Sequence, residues 1–150
     1  MFIFDPYFSI EDFGFVGQVT NKDPDFKLTI MTTLRQKRKI ESVCQGDIID
    51  SIVNYWNEYV STGDLPSVEM IFAGAEGMDW ELPIHDRWWL SEDGGISFGT
   101  SLNGIGKKLS FLTRLGIDEA AEIEQKLDGY ARKKQKYSEG RRVRYETLSI

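Results

Sequence analysis

The apolar residues change their period several times along the 150-residue chain, and that alternation constrains the fold more than any single motif. Residues 2–5, 26–32 and 67–73 are short, strongly apolar runs that read as strands. Between them the spacing becomes helical: Ile48, Ile49, Ile52, Val53, Trp56 and Val60 fall on one face behind Asp47, and Gly63 ends the run. Ser9 and the acidic pair Glu11 and Asp12 predict a helix start, with the helix running to about Val19. Strands alternating with helices at this spacing call for one α/β domain, a mixed sheet flanked by helices.

The second half of the chain completes that pattern. Ile84–Ser91 and Ile96–Ser101 are joined by Glu92-Asp93-Gly94-Gly95, whose glycines supply the positive φ of a tight turn, so a hairpin is expected. A polar, glycine-containing loop over 102–108 leads to a strand over 109–115. Asp118 is placed to cap a helix over 119–136, and 141–150 reads as a closing strand. Arg35, Lys37, Arg38 and Lys39 fall in a stretch that reads as a loop. The first strand begins almost at the first residue, which suggests a piece of a longer protein with room for fused domains.

Composition removes several functions. A content of 41% hydrophobic residues is enough to pack a core, and the net charge of −6 argues against a surface devoted wholly to a polyanion. Cys44 is the only cysteine and His85 the only histidine, so neither an intrachain disulfide nor a zinc-ligand cluster is available. No metal and no cofactor is expected. The N-terminus lacks a basic segment, its apolar run is cut by Asp5 and Pro6, and no window is long enough to span a membrane, which together point to a cytoplasmic protein. Charge is nonetheless uneven: Lys126, Arg132, Lys133, Lys134, Lys136, Arg141, Arg142 and Arg144 oppose only Asp128 and Glu139 in their stretch. That asymmetry fits either an edge facing a polyanion or a solvated helix end.

His85 and Arg87 carry the chemistry. Two positions apart on a strand, they share a face with Trp89, while Asp86, Trp88 and Leu90 take the other. Across the turn, Gly99-Thr100-Ser101-Leu102-Asn103 brings small hydroxyl and amide groups toward them, and a guanidinium with such donors suits an oxyanion such as phosphate. Trp88 and Trp89 read as packing residues, Asp5-Pro6-Tyr7 as a strand end and turn that can border the site, and Lys107 and Lys108 as further anion donors or solvated cations.

The order His85-x-Arg87-(x)4-Glu92-(x)6-Gly99-Thr100-x-x-Asn103 resembles the HxK(x)4D(x)6GSxxN pattern of the phospholipase D superfamily at every step of spacing, with Arg for Lys, Glu for Asp and Thr for Ser. The resemblance spans 19 residues, and the order of the other elements is compatible with one phospholipase D-like half. It implies His85 as nucleophile, Arg87 as phosphate clamp, Glu92 as the acid that orients a histidine, and Thr100 and Asn103 as phosphate donors, to which the loop's own residue types add Ser101 and Lys107. It also implies a metal-independent phosphodiesterase, nuclease-like, that needs two histidines and hence a homodimer bringing two copies of His85 together. The alternative is a catalytically degenerate module of the same fold that binds a phosphate-bearing ligand, nucleic acid or a protein partner, as a related domain does in certain membrane-trafficking proteins.

Overall fold

The computed structural model describes residues 1–20, 26–44, 46–60, 63–99 and 111–150. Three parallel strands, β1 (Phe2–Phe4), β2 (Lys27–Thr33) and β3 (Ser67–Ala75), lie side by side at the centre of an open mixed sheet of eight strands. Antiparallel strands extend it both ways. β4 (Arg87–Ser91) pairs with β1, and β5 (Gly94–Phe98) and β6 (Leu112–Leu115) follow outward. On the other side β8 (Arg141–Ser149) pairs with β3 and carries the short β7 (Tyr137–Ser138), giving the order β6-β5-β4-β1-β2-β3-β8-β7.

Helices cover both faces. α1 (Phe13–Thr20), α2 (Leu34–Val43) and α3 (Ile48–Tyr55) lie on the face that presents Ile3, Ile30, Met70 and Trp89; α4 (Ile117–Ala131) lies on the face that presents Phe4, Met31, Ile71 and Leu90. The central strands β1, β2 and β3 therefore bury both of their sides over most of their length, which is why they read as nearly continuous apolar runs rather than alternating ones. Phe4 meets Trp88 on one face, and Phe98 meets Trp89 on the other, each pair at 5.8 Å between ring centroids. The two tryptophans pack as the sequence suggests. No helix among the described residues is long and apolar enough to cross a membrane.

Several local expectations change. The basic stretch read as a loop is α2: the Thr33 hydroxyl caps it by accepting from the Gln36 N–H at 3.1 Å, and Lys37 reaches Glu41 one turn on at 2.7 Å. The turn after Tyr55 widens into a π-helical turn, Trp56–Val60, in which Trp56 is buried and its indole N–H donates to the Gly63 carbonyl at 2.9 Å. A Cβ on Gly17 of α1 would lie 2.2 Å from Val60, so only glycine allows α1 to approach this turn so closely. α4 begins earlier than Asp118 predicts, because the Glu119 carboxylate turns back to accept the Gly116 N–H at 2.8 Å. It ends at Ala131, short of the expected 136, and β7 takes up part of the remainder.

Candidate functional site

The carboxyl ends of β1 and β2 and the start of β4 meet at the rim where the central strands of the sheet end. Asp5 follows β1 directly, and its backbone N–H donates to the Met31 carbonyl, which continues the ladder one residue past the strand. Its carboxylate turns inward: Oδ1 accepts the Tyr7 N–H at 2.8 Å and lies 3.3 Å from Arg87 Nε, while Oδ2 has no hydrogen-bond partner. Asp5 is 1% exposed. Arg87, the first residue of β4, stands with its guanidinium 4.7 Å from the centre of the Tyr7 ring, so the cation is held between a buried carboxylate and an aromatic face.

A second carboxylate lies close by. Asp12 is fully buried, and its Oδ2 accepts both the Ser9 N–H at 2.7 Å and the Ser9 hydroxyl at 3.1 Å, the helix-start bond anticipated from Ser9 but made by the acid rather than by the serine alone. Burial pushes the Asp5 carboxyl above its ordinary range, against the opposing pull of the Tyr7 N–H and the Arg87 charge. Asp12 is pushed up to about 6, first by burial and then by the neighbouring charge of Asp5, with the Ser9 bonds working the other way. Thr32, buried at the end of β2, has a hydroxyl without a partner. The Thr33 hydroxyl donates to the Pro6 carbonyl at 3.2 Å and ties this rim to the turn after β1.

The motif residues occupy different parts of this architecture. His85 does not lie in the hairpin strand as the alternation predicts; β4 opens at Arg87, and His85 sits exposed in the connector before it. Arg87 and Trp89 do share a face, both on the side of α1. Glu92 is in the turn at the opposite end of β4. Five strand residues at roughly 3.3 Å each put it about 16 Å along the strand from the His85 end, so within one chain the two are not brought together. The hairpin forms, but its turn is shorter than expected: Ser91 pairs with Gly94 across Glu92-Asp93, Gly94 takes φ +126°, and Gly95, without a positive φ, already belongs to β5. Thr100, Ser101, Asn103 and Lys107 lie outside the described residues.

Half of the basic residues in the C-terminal stretch pair with acids. Lys126 pairs with Glu122 at 2.7 Å, Arg132 with Asp128 at 2.5 Å, Lys133 with Glu69 at 3.4 Å and Arg144 with Glu76 at 2.7 Å. Arg141 donates to the Gly77 carbonyl. On α2, Lys37 adds Glu146 to Glu41, both at 2.7 Å, and Arg35 bridges Asp79 and Glu81. Two of these C-terminal pairs are made within α4 and its end, one turn apart, and two reach β3 and the residue after it, so part of the basic charge is offset locally and part across the fold.

Asp5 and Asp12 are the residues this rim adds to the motif. Asp5-Pro6-Tyr7 was legible as a strand end bordering the site, but its pairing with a residue 82 positions on has no local signal. Among the described residues no group of three or more His, Cys, Asp or Glu side chains is arranged to hold a metal ion. No family model matches the chain, and neither the curated proteins nor the solved structures give a match.

Proposed function

We propose that this domain is a binding module rather than a hydrolase, and that what it binds is a protein partner. One observation carries the reading: the guanidinium that the phospholipase D-like pattern assigns to phosphate is engaged by the buried carboxylate of Asp5 and stacked on Tyr7. For Arg87 to clamp a phosphate, it would have to leave Asp5 charged and unpartnered in the interior, or share itself between two anions, and either costs several kcal/mol. The cations of α2 and of the C-terminal stretch that pair with acids lower the net charge a nucleic acid would meet, although these half-exposed pairs are individually weak.

A second reading keeps the phosphodiesterase, since His85 is exposed on its connector and accessible to the same residue of another copy. Hydrolysis of bis(p-nitrophenyl) phosphate separates the two. The binding module turns over no faster than its His85→Ala variant, with or without chelator, and millimolar inorganic phosphate leaves the Arg87 side-chain resonance in place. Turnover that His85→Ala abolishes in a dimeric sample would establish the enzyme instead.

A further inference from the structure

The sheet has a free edge at β6, and three independent features coincide there. The first is backbone polarity. The Phe111 carbonyl accepts the Gly99 N–H at 3.0 Å, so Phe111 turns its peptide groups toward β5; because those groups alternate along a strand, the N–H and C=O of Leu112 and Arg114 point away from the sheet. Among the described residues no strand meets them. The second is a concave apolar pocket of about 480 Å³ on the same face, lined by Val19, Trp89 and Ile96 and walled at its outer side by Leu112 and Arg114. Ile96 is 40% exposed and Leu112 57%, so apolar surface is left open where the sheet ends. The third is charge: Arg114 is exposed and makes no ion pair among the described residues, whereas its register partner Ile96 is apolar.

We infer that β6 is a docking edge for an extended segment of another protein, one that alternates apolar with acidic residues and adds to the sheet as a further strand. The argument rests on the reading of the domain as a binding module and gives its partner a chemistry. Leu112 and Arg114 are two residues apart, so their side chains share the pocket face while their backbone groups face the incoming chain. A strand bonded to them sets its own side chains on that face at every second position. One of these meets the Arg114 guanidinium and is acidic. The next, over Leu112, is apolar and covers the exposed side chain at the outer wall of the pocket.

A second copy of this chain fits less well. Antiparallel self-pairing about Thr113 sets Arg114 against Leu112 of the other copy, and pairing about Arg114 sets two guanidiniums together; neither brings a carboxylate to the unpaired cation. Of the two kinds of occupant, a different chain is the one we infer, because it can supply a carboxylate to Arg114 where these β6–β6 pairings do not.

The probe is an acetylated, amidated seven-residue peptide alternating valine with glutamate, compared with the same peptide carrying lysine for glutamate, both added to the full chain. The glutamate peptide is expected to bind at least tenfold more tightly, and Arg114→Glu to reverse that preference. Amide exchange at Leu112 and Arg114 should slow at least tenfold on binding, a readout that needs no variant. Leu112→Pro, which removes only an outward-facing N–H, should weaken binding at least fivefold with the melting transition retained. Equal binding of the two peptides, no binding at millimolar peptide, or unchanged exchange at both amides overturns the inference. So does a sedimenting dimer that already protects those amides, which would give the edge to a second copy. Phosphodiester hydrolysis is read in a separate assay, so failure of the edge and failure of the binding-module reading are distinguishable.

Discussion

The two ends of β4 offer opposite kinds of surface. At its start, Arg87 meets Asp5 and Tyr7 and the polar groups face inward, closed over by the turn after β1. Toward its end, Trp89 and its neighbours on β5 and β6 leave apolar surface and backbone groups facing outward. At the first end the charges of Asp5 and Arg87 are paired with one another, though Asp5 Oδ2 and Arg87 Nε make no hydrogen bond; at the second, apolar surface stays open where the sheet stops. A motif read from sequence points to the first end because it carries reactive residue types, yet residue type alone does not say whether a group's partners are already present in the fold. Arg87 is the case in point: a guanidinium committed to a carboxylate is a structural element first, and a ligand must compete with that carboxylate.

The sharpest way to break this contrast is Arg87→Ala. It leaves Asp5 buried without its cation, and a loss of about 3–5 kcal/mol in unfolding free energy is expected at pH 7.5. Because burial already raises the Asp5 carboxyl and Arg87 holds it down, the variant's Asp5 rises further and takes up a proton more readily. The deficit should shrink as pH falls, which urea unfolding at pH 7.5 and 5 would show. A loss under about 1 kcal/mol at both values would mean that Arg87 is free to serve a ligand, and the closed end would no longer differ from the open one.

Asp12 gives the next largest effect. Its carboxyl stands at about 6 in the folded chain against 3.8 as its ordinary value. A raised carboxyl favours the folded state fully only below the unfolded pKa, and that contribution is lost as pH rises through the folded one. A shift of about two units amounts to about 3 kcal/mol, to order of magnitude. Asp12→Asn keeps an oxygen for the Ser9 N–H but does not titrate. The stability difference between variant and wild type should therefore be greatest in the variant's favour above pH 7 and fall through the window from about 6 to 4. A difference constant across that window would place Asp12 in a better-solvated setting than its burial indicates.

How far the fold was legible depends on whether its signals were local. The β4–β5 hairpin announces itself, because Glu92-Asp93-Gly94-Gly95 marks a turn, which falls at Glu92-Asp93. The central strands were legible through their apolar runs. α2 was not: its apolar face reduces to Leu34 and Ile40, with Gln36 buried beside them, and four cations mask the stripe; the usable sign was Thr33 as cap. The site was half legible. Arg87 and the turn at Asp5 could each be picked out, but their pairing belongs to the antiparallel register of β1 and β4, and sequence order carries no trace of that register. Glu92 shows the converse limit: spacing along the chain matches a pattern, while the straight run of β4 sets it at the other end of the strand from His85 of the same chain.

The smallest effect tests the open end. Leu112 is 57% exposed on an edge strand, so truncating it to serine removes apolar surface that water already reaches. Burial energy scales with area taken from water, at roughly 25 cal/mol per Å², and surface substitutions of this kind stay within about 0.5 kcal/mol. Leu112→Ser should leave the urea midpoint almost unchanged while weakening the valine–glutamate peptide, because the same area is withdrawn from water only when a partner strand lies over it. The pairing of those two results is what matters. A destabilisation above about 1.5 kcal/mol would show that Leu112 is packed within the folded chain, and the edge would then be as closed as the Asp5 end. Unchanged stability with unchanged peptide affinity would leave the edge open but assign the pocket no part in holding a partner.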